Sequence, residues 1–228
     1  MGMNNGIFIT GTDTGVGKTY IGTGIAGELK KRKIRLGVMK PAETGCRRAA
    51  GRLVPQDALR LMQAAGTRDS LALVSPCRFR RPLAPSIAAE LEGAPVSISA
   101  IMKAFRTLSK RHDLMIVEGA GGILVPLTAK FTYLDLAEKM GLPVVVVARP
   151  GLGTINHTLL TIEVLRKRGV NVAGIVINYT RCQGRGLAER TGPAMIEKMS
   201  GIPILATVPH LSRNFGPLVD RLLCGPLL

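Results

Sequence analysis

The chain has no tryptophan, and aromatic residues make up only 4% of its 228 positions. Its core must therefore be aliphatic, built from Val, Ile, Leu, Ala and Met. Its four cysteines (Cys46, Cys77, Cys182 and Cys224) lie far apart, with no C-x-x-C pair. That spacing argues against a zinc site and offers no disulfide framework. No apolar stretch approaches the ~20 residues of a membrane span. The run Ile7–Ile9 is also far too short for a secretion signal. These absences predict a reduced, cytoplasmic chain with no membrane partner.

Acidic residues are scarce too: 15 Asp and Glu stand against 31 Lys and Arg, a formal net charge of +16. Such an excess raises the question of nucleic acid. Its placement suggests otherwise. Lys30, Lys31, Arg32 and Lys33 close one helical pattern, and Arg166, Lys167 and Arg168 close another. Cations at helix C-termini offset the negative end of the dipole. The aromatic interleaving of single-strand binders is missing. Nucleic acid is not expected as a partner.

What is present is alternation of short apolar runs with helical patterns. Hydrophobic residues make up 46% and charged residues 20% of the chain, the balance of an ordinary globular protein. Strands are expected at 6–10, 34–39, 113–117, 144–148, 172–178 and 204–208. Helices are expected at 18–33, 56–65, 97–111, 133–140, 155–168 and 187–199. Strands apolar throughout, such as Val144–Ala148, belong to a parallel sheet covered on both faces. Strands separated by helices imply right-handed βαβ units. The expected fold is α/β: a doubly wound, mostly parallel sheet with helices on both faces. Residues 1–228 form one domain in this reading, with 211–228 a tail of no assigned role. Ligands in such folds sit at the carboxyl ends of the strands.

Gly11–Thr19 reads G-T-D-T-G-V-G-K-T, after a strand and before a helix. This order is that of a phosphate loop. Its glycines let successive N–H groups point at phosphate oxygens, and the helix N-terminus adds positive potential. Lys18 can reach the β and γ phosphates, and the Thr19 hydroxyl can ligate Mg²⁺. The spacing is unusual. Counted back from Gly17, the first glycine should fall at position 12, which is Thr12; Gly11 lies one residue earlier. Partitioning and arsenite-pump ATPases share a deviant loop but carry a signature lysine early in it, where this chain has Asp13.

The strand 113–117 leads into Glu118-Gly-Ala-Gly-Gly. A strand-end carboxylate is the second half of such a site, helping to hold Mg²⁺. The glycines, Gly119 and Gly121 among them, suit close approach of backbone to a ligand. Lys40, after the second strand, can neutralise charge on a transferring phosphoryl group. Asp57, at a helix start, is either a dipole-favoured acid or a further Mg²⁺ ligand. The segment Arg149–His157 offers N–H groups for an anion. His157 lacks an acid or cysteine partner and reads as structural.

Together these stretches resemble dethiobiotin synthetases. The matching pieces are Gly11–Thr19, K-P-A-E-T-G at Lys40–Gly45, D-A-L at Asp57–Leu59 and V-E-G-A-G-G at Val117–Gly122. G-x-x-N-H at Gly153–His157, Asn178 and V-P-H-L at Val208–Leu211 complete the set. The resemblance runs from about Ile7 to Leu211. It implies ATP-dependent closure of a cyclic urea from 7,8-diaminononanoate and CO₂, by way of a carbamate and a carbamic–phosphoric anhydride, in biotin biosynthesis. It implies that Lys18, Lys40 and Thr14 carry the chemistry, and that Thr19, Asp57 and Glu118 hold Mg²⁺. Thr14, Gly15, Val16, Gly17, Lys18, Thr19 and Tyr20 would bind the nucleotide's phosphates. Asn178 would read the adenine edge, flanked by Pro209, His210 and Leu211. Thr12, Lys40, Thr44, Gly119 and Gly121 would contact the diamine-derived carbamate. Gly153, Thr154 and Asn156 would receive the substrate carboxylate from the neighbouring subunit, so a homodimer is expected. The alternatives are a partitioning-type, DNA-associated ATPase and a relative of the amidating ligases of cobalamin synthesis. The latter need a glutaminase partner or an added domain with a cysteine nucleophile.

Overall fold

The computed structural model describes residues 5–182 and 186–225. Six strands form the central sheet: β1 (Gly6–Gly11), β2 (Leu36–Met39), β7 (Leu114–Gly122), β10 (Val144–Ala148), β11 (Val172–Asn178) and β12 (Ile204–Val208). Their order is β12-β11-β10-β1-β7-β2, and every pairing is parallel. Three small pairs lie outside it: β3 (Ala42–Glu43) with β6 (Cys77–Arg78), β4 (Arg47–Ala49) with β5 (Arg52–Val54), and β8 (Pro126–Thr128) with β9 (Phe131–Thr132). The helices are α1 (Lys18–Lys31), α2 (Gln56–Ala65), α3 (Leu71–Val74), α4 (Pro85–Glu92), α5 (Ile98–Ser109), α6 (Tyr133–Met140), α7 (Thr154–Lys167), α8 (Leu187–Ser200) and α9 (Gly216–Leu223).

The apolar strands are buried on both faces because successive side chains point to opposite sides. Phe8, Met115, Val117, Val144 and Val146 enter one core, with Phe105 of α5, Leu136 of α6 and Ile162 of α7. Ile7, Ile9, Ile116, Val145 and Val147 enter the other, with Ile25 of α1, Leu61 of α2 and Leu222 of α9. The doubly wound expectation is thus met strand by strand.

Two expectations change. Glu118 does not end its strand. β7 runs on through Gly119–Gly122, with Glu118 beside Ile9 of β1 and a register shift between Ile9 and Gly11. The glycines permit this continuation: a Cβ at Gly119 would lie 3.3 Å from the ring of Phe8 and 3.4 Å from that of Tyr133. The segment after Leu211, expected only as a tail of no assigned role, is built into the core among the described residues. It forms α9, whose Leu218, Val219 and Leu222 are buried in the core beneath α1.

Candidate active site

The phosphate loop, the loop after Lys40 and the Glu118–Gly122 segment converge on the carboxyl ends of β1, β2 and β7. A cleft of about 800 Å³ there is lined by Thr14, Gly15, Gly17, Lys18, Thr19 and Tyr20, together with Lys40, Thr44, Asp57 and Glu118. The phosphate loop turns through positive φ at Gly15 (75°) and Gly17 (90°), conformations that cost little only for glycine. Gly17 is needed twice over, because a Cβ there would stand 2.2 Å from Asn178 Nδ2. The shifted Gly11 has a steric reason as well. A Cβ on it would meet Val16 Cγ2 at 2.7 Å and Lys18 Nζ at 3.0 Å. The glycine stands where the lysine folds back over the loop to donate to Asp13 O at 3.2 Å.

Glu118 is fully buried. Its Oε1 accepts from Thr19 Oγ1 at 2.7 Å and from Lys40 Nζ at 2.5 Å. Lys40 also donates to Asp57 Oδ2 at 3.2 Å and to Gly119 O at 3.2 Å. One ammonium therefore joins two carboxylates that lie 61 positions apart (118 − 57) in the chain. Burial works against the charge on Lys40, but Glu118 and then Asp57 outweigh it and hold its pKa above the ordinary lysine value. Lys18 behaves oppositely. Burial, reinforced by the positive charge of Lys40, brings its pKa down to about 8.

Glu118 Oε2 is buried and has no partner. An orphaned carboxylate oxygen in a dry site is costly unless something pairs with it. With the Thr19 hydroxyl and Asp57 it makes a set of hard oxygen donors of the kind Mg²⁺ takes, one or two carboxylates completed by phosphates and water. No group of three or more His, Cys, Asp or Glu side chains placed to hold a metal occurs among the described residues.

Glu43 was not singled out from sequence. It is buried, and its Oε1 and Oε2 accept from Asp57 N at 2.9 Å and Ala58 N at 3.0 Å. It thereby caps α2, whose own N-cap residue, Pro55, has no side-chain acceptor. The cap holds Asp57 against Lys40. A glutamate capping a helix that begins 13 residues later (56 − 43) leaves no local pattern to find.

Other expected residues lie outside the cleft lining. The Thr12 hydroxyl is buried without a partner. Asn178 sits behind the loop, its Nδ2 donating to Val16 O at 2.8 Å while Oδ1 has no donor. Pro209, His210 and Leu211 are exposed at the end of β12. Gly119 uses its carbonyl on Lys40, whereas Gly121 lines the cleft. Gly153 and Asn156 line a separate cavity of about 510 Å³ with Leu152, Leu159, Thr191 and Met199, and Thr154 is buried beside them at the start of α7. Within one chain, then, the segment expected to receive the substrate carboxylate lines a different cavity from the phosphate loop. Asp13 also holds the Thr14 amide through its carboxylate at 2.7 Å, occupying an N–H that a phosphate would use.

A family model described as an AAA domain matches residues 5–214. Solved structures share the architecture at low identity. A ParA family ATPase from Chlorobium tepidum superposes with a TM-score of 0.54 at 16% identity, over 98% of this chain and 91% of that one. A MinC:MinD cell division complex from Aquifex aeolicus gives 0.57 at 14%, over 95% and 86%. These likenesses speak for the fold alone. Sequence relatives are nearer. The ATP-dependent dethiobiotin synthetase of Thermodesulfovibrio yellowstonii is 42% identical over 217 residues, 92% of this chain and 90% of its own. That of Methanocaldococcus jannaschii is 44% identical over 206 residues, 89% and 92%. That of Bacillus velezensis is 43% identical over 218 residues, 94% and 92%. With the buried Lys40–Glu118–Thr19 constellation behind the phosphate loop, these relatives show that the chain belongs to the dethiobiotin synthetase family.

Proposed function

We propose that this protein closes the ureido ring of dethiobiotin from 7,8-diaminononanoate, CO₂ and ATP, releasing ADP and phosphate. The observation that carries the reading is the cluster of Lys18, Lys40, Thr19, Asp57 and Glu118 around one cleft, two cations and a donor set for Mg²⁺ facing the same space. One amine of the substrate adds to CO₂ and loses a proton, giving a carbamate. A carbamate oxygen attacks the γ-phosphorus, and the bond to ADP breaks. The second amine then attacks the carbamoyl carbon and releases a proton to solvent, and phosphate departs with that oxygen.

Negative charge builds up in the first two steps, and the lysines face it. Lys18 lies over the loop that would cradle the β and γ phosphates. Lys40, held charged by its acids, neutralises the carbamate and the transferring oxygens in a buried site, where such charge counts most. Mg²⁺, held by Thr19, Asp57 and the free oxygen of Glu118, would supply charge neutralisation on the phosphates. Gly15, Val16 and Gly17 offer the loop amides, and Thr14 would add its own once Asp13 releases it. Asn178 has an unpartnered acceptor for an exocyclic amine, and Pro209–Leu211 follow Val208, its partner across the strand pair. Thr12, Thr44 and Gly121 would face the carbamate.

The Gly153–Asn156 segment would serve the carboxylate of a substrate bound in the cleft of a second copy. Leu152, Leu187 and Met199 near it are 88%, 72% and 62% exposed, and a partner subunit would cover them. Among the described residues no helix is long and apolar enough to cross a membrane, and we place the enzyme in the cytoplasm.

The test is product formation from Mg·ATP, bicarbonate and the diamine, read by mass. With ¹⁸O-labelled bicarbonate, one labelled oxygen should appear in the released phosphate. Cyclic urea without label in phosphate would remove the anhydride from the scheme. No cyclic urea, with turnover on another carboxylate, would remove the substrate assignment.

A further inference from the structure

A third cavity, of about 280 Å³, is lined in part by Thr23, Gly24, Glu28, Arg213 and Phe215. Tyr20, the residue after Thr19, lines both this cavity and the phosphate cleft. Its hydroxyl donates to the carbonyl of Ser212. Its ring meets that of Phe215 edge-on, with centroids 5.6 Å apart at 68°. Phe215 is buried on Gly24, where a Cβ would fall 2.4 Å from the phenyl ring. Beyond it, α9 is anchored to α1 through the shared core and through Arg32 and Asp220 at 2.7 Å.

Between β12 and this anchor lies one tight turn. The Ser212 amide donates to Pro209 O at 3.2 Å, and Leu211 takes a left-handed φ of 56° while 72% exposed. A left-handed leucine persists only where its surroundings hold it. The turn's own exposed side chains do not hold it. From outside the turn, the Tyr20 hydroxyl holds Ser212 O at its C-terminal end, and Phe215, three residues on, packs against the Tyr20 ring. Tyr20 stands on the same helical turn as Lys18 and Thr19, so the turn 209–212 is fastened to the helix that opens the phosphate site.

We propose that Tyr20 and Phe215 are positioning residues for recognition of the nucleotide base. They couple the turn that flanks the base to the helix that receives the phosphates, so that both ends of the nucleotide meet one preformed surface. Preorganisation of this kind saves the ordering cost of binding. The inference rests on the proposed placement of the base beside Asn178 and Pro209–Leu211. It gives the segment after Leu211 a role in nucleotide selectivity without direct contact to the nucleotide.

The experiment compares Tyr20→Phe, Phe215→Leu and Phe215→Tyr in the full chain, with ATP, GTP and inorganic tripolyphosphate as probes, each with Mg²⁺, by calorimetry. Tyr20→Phe removes one oxygen and keeps the packed ring. Loss of one hydrogen bond should weaken ATP about five-fold. The ATP-to-GTP preference should shrink with it, KM for ATP should rise, and tripolyphosphate binding should weaken less than ATP binding. Phe215→Leu should do likewise, and Phe215→Tyr should retain ATP affinity. Equal weakening of tripolyphosphate would overturn the inference, because Tyr20 would then act on the phosphate loop. Unchanged ATP affinity and selectivity in Tyr20→Phe and Phe215→Leu would overturn it as well. Asn178→Ala, measured alongside, separates the two failures. If it removes base selectivity while Tyr20→Phe does not, only the coupling fails. If it too leaves selectivity intact, the base placement itself is wrong.

Discussion

At the residue scale, the site is governed by two lysines in opposite electrostatic situations. Lys18 is buried beside another cation, and its pKa of about 8 lies below the ordinary 10.5. Between those values the unfolded chain binds a proton that the folded chain does not. Stability of the ligand-free protein should therefore gain from this group as pH rises through 8 toward 10. Activity should move the other way: kcat/KM for ATP, which reports the free enzyme, should fall above about pH 8 as the loop loses its cation. A flat profile to pH 9.5 would contradict the burial of Lys18. Lys18→Ala should abolish turnover and remove the stability gain. Lys40 is different, because it compensates two acids. Lys40→Met would leave Glu118 buried without its cation, a loss on the order of 3–5 kcal/mol. Chemical denaturation would read it, and a change below about 1 kcal/mol would show that Glu118 is solvated or protonated without Lys40.

At the scale of elements, the phosphate loop and α2 are both set by contacts from distant parts of the chain. The loop is seated on Asn178 of β11, which is why Gly17 tolerates no side chain. Gly17→Ala should lose ATP binding and lower the melting temperature together, since both the φ of 90° and the 2.2 Å approach oppose it. Helix α2 depends on Glu43 for its cap. Glu43→Ala should cost about 1–2 kcal/mol, the usual effect of a lost N-cap. It should also weaken Mg²⁺-dependent nucleotide binding, because Asp57 loses its anchor. Glu43→Gln keeps one acceptor and should recover part of both. If Glu43→Ala lowers stability but leaves the Mg²⁺ dependence untouched, Asp57 is not a ligand.

For the whole molecule, two features bear on what the chain meets in solution. The first is the split between the phosphate cleft and the Gly153–Asn156 cavity, together with the exposed Leu152, Leu187 and Met199. Light scattering should give twice the 24.3 kDa chain mass. Leu152→Asp should yield a monomer that binds ATP normally but has lost affinity for the diamine. A monomeric wild type with full activity would refute the shared site. The second is the charge of +16. The arginines beyond the helix ends gather partly on the β4–β5 hairpin, where Arg47, Arg48 and Arg52 are exposed, and on Arg60 at the cleft. A basic rim steers an anionic nucleotide. Association with ATP should slow as salt rises, without ATP-dependent binding of DNA.

Much of this was legible from local pattern. The expected spans 56–65, 133–140, 144–148, 172–178 and 204–208 recur residue for residue in α2, α6, β10, β11 and β12, since their periodicity and flanking glycines are local signals. The phosphate loop, Lys40 and Asp57 were visible for the same reason, since each follows or opens an element, and Glu118 was visible as the carboxylate after an apolar run. The short elements α3, α4 and the three strand pairs were not, because so few residues form structure only when packed against others. Nor was α9, which lies in a tail rich in Gly and Pro. Sequence determined the fold class and the chemistry of the cleft, through residue types whose roles depend on their immediate neighbours. Tertiary packing decided that β7 continues past Glu118, that Glu43 caps a helix from afar, and that Tyr20 fastens the turn after β12 to the phosphate helix. Each of these is a contact between residues far apart in the chain, and no local pattern encodes such a distance.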